Sequence, residues 1–194
     1  MSWSLVPLLH AIVFGGVAGA ARLVLVRRRL GTSPLALGAG DSARGFTARC
    51  FYVWLPLADF CYLLVEAIAG LPGPVLWQGD AVRVAGTVLL AAGLAWVAYA
   101  QAAMGSDWRM GVDDSARGRL CTHGPFARSR HPVYLGIRVT MLGQLLVVGT
   151  WPALCLWAIE ELLVQVQARF EEEAMAARFG GAYRAYRASV RRWL

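Results

Sequence analysis

Apolar residues run in long blocks along this chain, and polar residues gather between them. A helix needs roughly 20 apolar residues to cross the ~30 Å hydrocarbon core of a bilayer. Trp3 to Val26 is the first such block, interrupted by His10 and Arg22 and stopped by Arg27-Arg28-Arg29. Arg22 is near enough to that end to reach along the helix to the membrane surface. Leu30 to Arg49, rich in Gly, Ser and Arg, reads as a loop, and Cys50 to Leu71 as a second span carrying Asp59 and Glu66. Leu71-Pro-Gly-Pro74 predicts a turn, and Ala81 to Met104 a third span. Gly105 to Arg130 is a second loop, with Arg109, Arg117, Arg119, Arg128 and Arg130. Val133 to Thr150, broken by Arg138, predicts a fourth span. A fifth helix starts near Pro152, a residue suited to the first helical turn. It turns polar at Glu160-Glu161 and runs to Phe179, where Gly180-Gly181 ends it. Ala182 to Leu194 is a final basic amphipathic segment.

The fold class expected is therefore all-α: a polytopic membrane protein of five transmembrane helices with a cytoplasmic C-terminal helical extension. Residues 1–194 form a single membrane domain. Three spans occupy 1–104, while a binding loop, a helical hairpin and the C-terminal helices occupy 105–194. Basic loops stay on the cytoplasmic side, so the N-terminus is outside and the C-terminus inside.

Composition supports this. The chain of 194 residues is 58% hydrophobic and 16% charged, with mean hydropathy +0.51. Soluble domains are nearer half apolar and a quarter charged. The net charge of +7 comes entirely from Arg, with no Lys. The Arg residues flank apolar spans as membrane topology requires, so no nucleic-acid partner is expected. Cys50, Cys61, Cys121 and Cys155 form no Cys-x-x-Cys pair, and no metal is expected. The Ala, Gly and Arg bias reads as bacterial, and the address as the inner membrane.

Two clusters carry chemistry. The first is Leu120-Cys-Thr-His-Gly-Pro-Phe-Ala-Arg-Ser-Arg-His-Pro-Val-Tyr-Leu-Gly136. Its Gly124-Pro125 makes a turn and His131-Pro132 opens a helix. The free N–H groups of that helix start, with Arg130 and His131, favour an anion. Tyr134 and Arg138 are one turn apart. An interfacial anchor is the competing reading. The second cluster lies on the fifth helix, where Glu160, Gln167 and Glu171 share one stripe and Glu161, Gln165 and Glu172 the next, with Arg169 nearby. A charge run such as Glu171-Glu172-Glu173 is ordinarily a solvated face. Acids at membrane depth, such as Glu160 and Glu161, usually face a cavity or a partner. Asp59 and Glu66 can pair with Arg138 or Arg22, or line a cavity. His10 and His123 stand alone.

The order of the motifs resembles the isoprenylcysteine carboxyl methyltransferase family, which is similar to phospholipid N-methyltransferases. The matching pieces are Leu120-x-x-x-Gly124-Pro125-Phe126, Arg130-His131-Pro132-x-Tyr134-x-Gly136, and Glu171-Glu172-Glu173 ahead of Phe179-Gly180-x-x-Tyr183-x-x-Tyr186. The likeness covers about the last 90 residues. It implies S-adenosylmethionine as methyl donor, bound at the cytoplasmic surface. The implied contacts are Leu120, Cys121, Phe126, His131, Pro132, Val133, Tyr134 and Glu171, joined on chemical grounds by Arg130 and Glu172. A lipophilic acceptor from the bilayer, bearing a carboxylate, thiol or amine, is the implied partner. Glu160, Glu161 and Arg169 are the catalytic candidates on its side, and Gln167 and Arg138 the substrate candidates. Gln167 stands where relatives have an Arg that meets a substrate carboxylate, and Phe126 where Tyr is common. The alternatives are an NADPH-dependent membrane reductase of the sterol-reductase type and a non-enzymatic membrane protein; the chain lacks the inverted repeats of a transporter.

Overall fold

A computed structural model describes residues 3–31, 35–36, 42–70, 74–111 and 119–194. Arg117 and residues 71–73 of the expected turn lie outside the described residues. Five long helices dominate: α1 (Leu5–Arg29), α2 (Ala43–Ala69), α3 (Asp80–Met104), α4 (Pro132–Val148) and α5 (Trp151–Ser189). Two-residue strands, Leu35–Ala36 and Met110–Gly111, pair in parallel and tie the first loop to the second.

Among the described residues three helices, α1, α2 and α3, are long and apolar enough to cross a membrane, where five were expected. The shortfall has a physical basis. At 17 residues, α4 measures about 25 Å, short of the hydrocarbon core. The apolar start of α5 is cut by Glu160-Glu161.

Local chemistry explains most boundaries. Ser42 caps α2, its side chain accepting from the Gly45 N–H at 3.1 Å, so helix begins inside the segment expected to be loop. Thr150 caps α5 by accepting from Ala153, and Pro132 and Pro152 occupy first-turn positions. The helix from Trp151 is interrupted at Gly180, where it was expected to end: φ 51° and ψ −117° are non-helical, and a second helical stretch follows across the kink to Ser189. Both α1 and α2 contain a wide π-helical turn, at Gly15–Ala21 and Cys50–Trp54. Such turns are frequent at functional sites.

The tightest packing joins α3 to α4. A Cβ on Gly86 would stand 2.6 Å from the Gly143 carbonyl oxygen, and one on Gly143 would stand 2.7 Å from that of Gly86. Gly93 and Gly136 meet in the same way one heptad along. Small residues let helix backbones approach this closely in membranes. Trp96 Nε1 then donates to the Pro132 carbonyl at 2.9 Å, fixing the start of α4. At the far end, Tyr62 Oη and Thr150 Oγ1 are 2.7 Å apart and Trp77 donates to Leu146.

The first helix is pinned to α3. Gln101 Nε2 donates to the Ala18 carbonyl at 2.9 Å, within the π turn. Arg22 donates to the carbonyls of Gln101 and Gly105 and lies over the Trp108 ring. Arg22 therefore caps the end of α3 rather than extending to the surface, because two orphan helix-end carbonyls offer it better acceptors. Asp59 pairs with neither arginine; its Oδ1 accepts from Gln144 at 2.6 Å. His10 is bound to the Leu90 carbonyl at 3.0 Å.

Candidate functional site

The motif-rich segment folds into a short 3-10 turn, Gly124–Ala127, which buries Pro125 and Phe126, and then enters α4. The C-terminal tail packs back over it. Tyr186 donates to the Phe126 carbonyl at 2.7 Å, the Arg130 N–H to the Arg191 carbonyl at 3.0 Å, and Ser129 Oγ to the Arg192 carbonyl at 3.1 Å. Ser129 also accepts from the His131 N–H.

Glu171 and Glu172 divide the labour. Adjacent residues on a helix point about 100° apart. Glu172 faces the tail, where Arg192 binds it through Nε at 2.7 Å and Nη2 at 2.9 Å. His131 Nε2 lies 3.2 Å from the same carboxylate and Arg130 Nη2 3.4 Å. Burial alone would raise this carboxyl, but the hydrogen bonds from His131 and Arg192 and the charge of Arg130 outweigh it. They hold Glu172 well below the ordinary range. Glu171 faces the other way, accepting from Tyr134 Oη and, at 3.3 Å, from Tyr52 Oη. Its other oxygen is 3.7 Å from His131 Nδ1. Burial raises this carboxyl; His131 and the tyrosine hydroxyl only partly oppose it. Arg130 Nε and Nη1 are buried with no hydrogen-bond partner.

These groups border a cavity of about 330 Å³. Of the cofactor candidates, Phe126, Arg130, His131, Pro132, Val133, Tyr134 and Glu171 line it. Leu120 and Cys121 do not; the Cys121 thiol faces the Ala103 carbonyl and His123. Glu172 stands behind the wall, holding Arg130 and His131. Of the acceptor-side candidates only Glu160 lines the cavity. Glu161 is bound to Arg138 Nε at 2.8 Å and to Gln165. Arg138 also lies 4.6 Å over the Trp193 ring. Arg169 is exposed and donates to the Gln165 carbonyl. Gln167 is fully buried near Glu171, whose carboxyl it helps to lower, but its amide makes no hydrogen bond of ordinary geometry and it is not a lining residue. Among the described residues, no three His, Cys, Asp or Glu side chains converge as metal ligands.

Sequence reasoning missed the first half of the chain. Tyr52 Oη is 2.6 Å from Tyr134 Oη, and Phe51 stacks edge-on to the same ring. Gln101, Met104 and Trp108 close another wall. In sequence Phe51-Tyr52-Val53-Trp54 looks like any interfacial aromatic belt. Arg192 and Trp193 were also missed as site residues, although Trp193 lies against His131.

The phospholipid methyltransferase family model matches residues 81–182, more than half of the chain. The chain belongs to the phospholipid methyltransferase family. Comparison with curated proteins returns no match. The family is one of membrane methyltransferases, related to the isoprenylcysteine type expected from the motifs. The phospholipid methyltransferase match takes in α3, α4 and α5 as far as Ala182. It leaves out α1, α2 and the Arg192-Trp193 tail, all of which touch the site.

Proposed function

We propose that the protein is an S-adenosylmethionine-dependent methyltransferase of the bacterial inner membrane, acting on a lipophilic acceptor taken from the bilayer. The observation that carries this reading is that seven motif residues, from Phe126 to Glu171, line a single cavity. Its volume lies at the small end of the roughly 300–1,000 Å³ typical of ligand pockets. The donor set fits the cofactor. Arg130, with two buried unpaired N–H-bearing nitrogens, and His131 suit its carboxylate. Glu171 suits its ammonium or ribose hydroxyls, and Phe126 and Tyr134 its adenine or sulfonium.

When bound, the cofactor supplies an electrophilic methyl group. The task left to the chain is to align the acceptor and keep water out. Glu172 positions Arg130 and His131 from behind, and Tyr52 positions Glu171 and Tyr134. Glu160 lies eleven residues from Glu171, which is about 16 Å along α5 and nearly the same face. It is the candidate to take a proton from an amine, hydroxyl or thiol acceptor; a carboxylate acceptor needs no base.

In the membrane, α1, α2 and α3 span fully, and α4 with the first half of α5 packs beside them as a hairpin entered from the cytoplasmic side. The N-terminus is outside and the Arg-rich loops are cytoplasmic. Residues 1–104 and 105–194 act as one domain. Among the described lining residues only Gly15 and Pro56 are exposed, and both sit mid-span. A mid-span rim suits entry of the acceptor from lipid.

The test uses full-length protein in lipid nanodiscs with S-adenosylmethionine labelled in its methyl group and a bacterial polar lipid extract. Label is expected in the organic phase. No transfer, with consumption of NADPH instead, would favour the reductase alternative.

A further inference from the structure

The C-terminal segment beyond the Gly180 kink is a strap with two faces of opposite character. Its inner face closes on the motif segment. Tyr183 and Tyr186, three residues apart on the helical stretch that ends at Ser189, are buried there. The carbonyls of Arg191 and Arg192 accept from the Arg130 N–H and from Ser129 Oγ, and the Arg192 guanidinium binds Glu172. Trp193 lies between the His131 ring, at 5.8 Å, and the Arg138 guanidinium, at 4.6 Å. The strap therefore belongs to the frame that holds Arg130 and His131, although the family match stops short of it.

The outer face is uncompensated positive charge. Arg184, Arg187 and Arg191 are exposed. So is Arg128, which sits between Phe126 and Ser129, the two residues whose carbonyls accept from Tyr186. Among the described residues no carboxylate lies within salt-bridge distance of these four arginines. Glu172, the acid the strap meets, is taken by Arg130, His131 and Arg192.

The end of the strap reaches membrane depth. Arg138 is six residues into α4, about 9 Å from its start, and Trp193 contacts it. Leu194 beside it is exposed. Tryptophan favours the membrane–water boundary. With Pro132 at the cytoplasmic surface, the strap thus descends from Gly180 into the interface, and its arginines stand near headgroup level. An exposed charge run is ordinarily a solvated face. A basic face that ends in an apolar tip at membrane depth is instead the pattern of a segment lying on a bilayer.

We propose that Arg128, Arg184, Arg187 and Arg191 dock on the phosphates of anionic phospholipids in the cytoplasmic leaflet, and that this contact holds the strap closed over the cavity. Its effect on the cofactor rests on the methyltransferase reading. Each arginine near an anionic leaflet is worth about a fivefold shift in equilibrium. That gain exists only with the strap down on anionic lipid, so lipid charge shifts the strap towards its closed state.

The experiment places the full chain in nanodiscs of phosphatidylcholine alone or mixed with phosphatidylglycerol. Hydrogen exchange of residues 181–193, without cofactor, reads the strap; calorimetry reads S-adenosylhomocysteine affinity. In the mixed nanodisc the strap amides should be better protected. S-adenosylhomocysteine should bind at least about fivefold more tightly, the worth of one such arginine. Both differences should vanish at about 1 M salt, where the screening length is about 3 Å. The triple variant Arg184→Gln, Arg187→Gln, Arg191→Gln should bind as wild type does in phosphatidylcholine and gain nothing from phosphatidylglycerol. The corresponding triple Lys variant keeps the charge and should keep the response.

Strap protection that ignores lipid charge overturns the proposal and leaves the arginines to a soluble acidic partner. A lipid response that survives in the Gln variant, or is lost in the Lys variant, also overturns it. So does a Gln variant already weakened in neutral lipid, since the arginines would then act within the protein. Failure of the cofactor reading would look different: lipid-dependent protection of the strap with no S-adenosylhomocysteine binding in either nanodisc.

Discussion

The hydroxyls of Tyr52 and Tyr134 stand 2.6 Å apart, and both lie within hydrogen-bond reach of one oxygen of Glu171. A residue of α2 thereby steadies two cavity residues of α4 and α5. Tyr52→Phe removes those bonds but keeps the ring. With hydrogen bonds worth about 1 kcal/mol each, the two lost bonds should weaken S-adenosylhomocysteine binding by up to roughly thirtyfold and lower Tm modestly, the protein remaining folded. Isothermal titration calorimetry reads the first quantity and a melting curve the second. Unchanged affinity would remove Tyr52 from the site.

Glu172 and Glu171 should fail in different ways. Glu172→Ala leaves Arg130, His131 and Arg192 without their shared anion. Breaking a buried pair this way costs about 3–5 kcal/mol, so a large fall in Tm should accompany the loss of binding. Glu171→Gln keeps size and hydrogen-bonding atoms, so it should lose cofactor affinity at nearly normal Tm. Equal Tm values for the two variants would contradict the division of roles.

The same pair sets a pH signature. The Glu172 carboxyl is depressed in the folded protein, so it contributes stability above its ordinary value of 4.5. That contribution is lost as pH falls below 4.5 towards the folded value. Glu171 is raised, so the folded state holds its proton more tightly, and its contribution falls away as pH rises through the folded value. Melting curves across the acid range should therefore drop less steeply for Glu172→Gln than for wild type, although the variant melts lower near neutrality. Parallel acid profiles would refute the assignment.

Much of the site was legible because its residues are close in sequence or share a helical stripe. Arg130 to Tyr134 and Glu171, which the family resemblance grouped, line one cavity. What stayed hidden was tertiary. Tyr52 reaches Tyr134 across 82 positions, and Arg192 reaches Glu172 only because the tail turns back beyond the Gly180 kink. Apolar length mapped the helices but could not distinguish full spans from the short α4. Nor could it show that Arg22 would find carbonyl partners at the end of α3.

The α3–α4 glycine contact gives a prediction for stability alone. A Cβ on Gly93 would stand 2.3 Å from Thr140 Oγ1 and 2.8 Å from the Gly136 carbonyl oxygen. Gly93→Ala should destabilise by about 1–3 kcal/mol, as overpacking does. Gly16→Ala, with open space around it, should be neutral or slightly stabilising. Unfolding in mixed detergent compares them, and equal stabilities would contradict the close approach.

The central claim is that the cavity bounded by His131 and Glu171 holds an adenosyl cofactor. Thermal shift of the purified protein with S-adenosylmethionine, S-adenosylhomocysteine and NADPH tests it most directly. A ligand at a hundred times its dissociation constant stabilises by about 2.7 kcal/mol. That shift is expected with both adenosyl compounds, absent with NADPH, and abolished in His131→Ala and Glu171→Ala. A shift with NADPH alone, or adenosyl shifts that survive in both variants, would contradict the account.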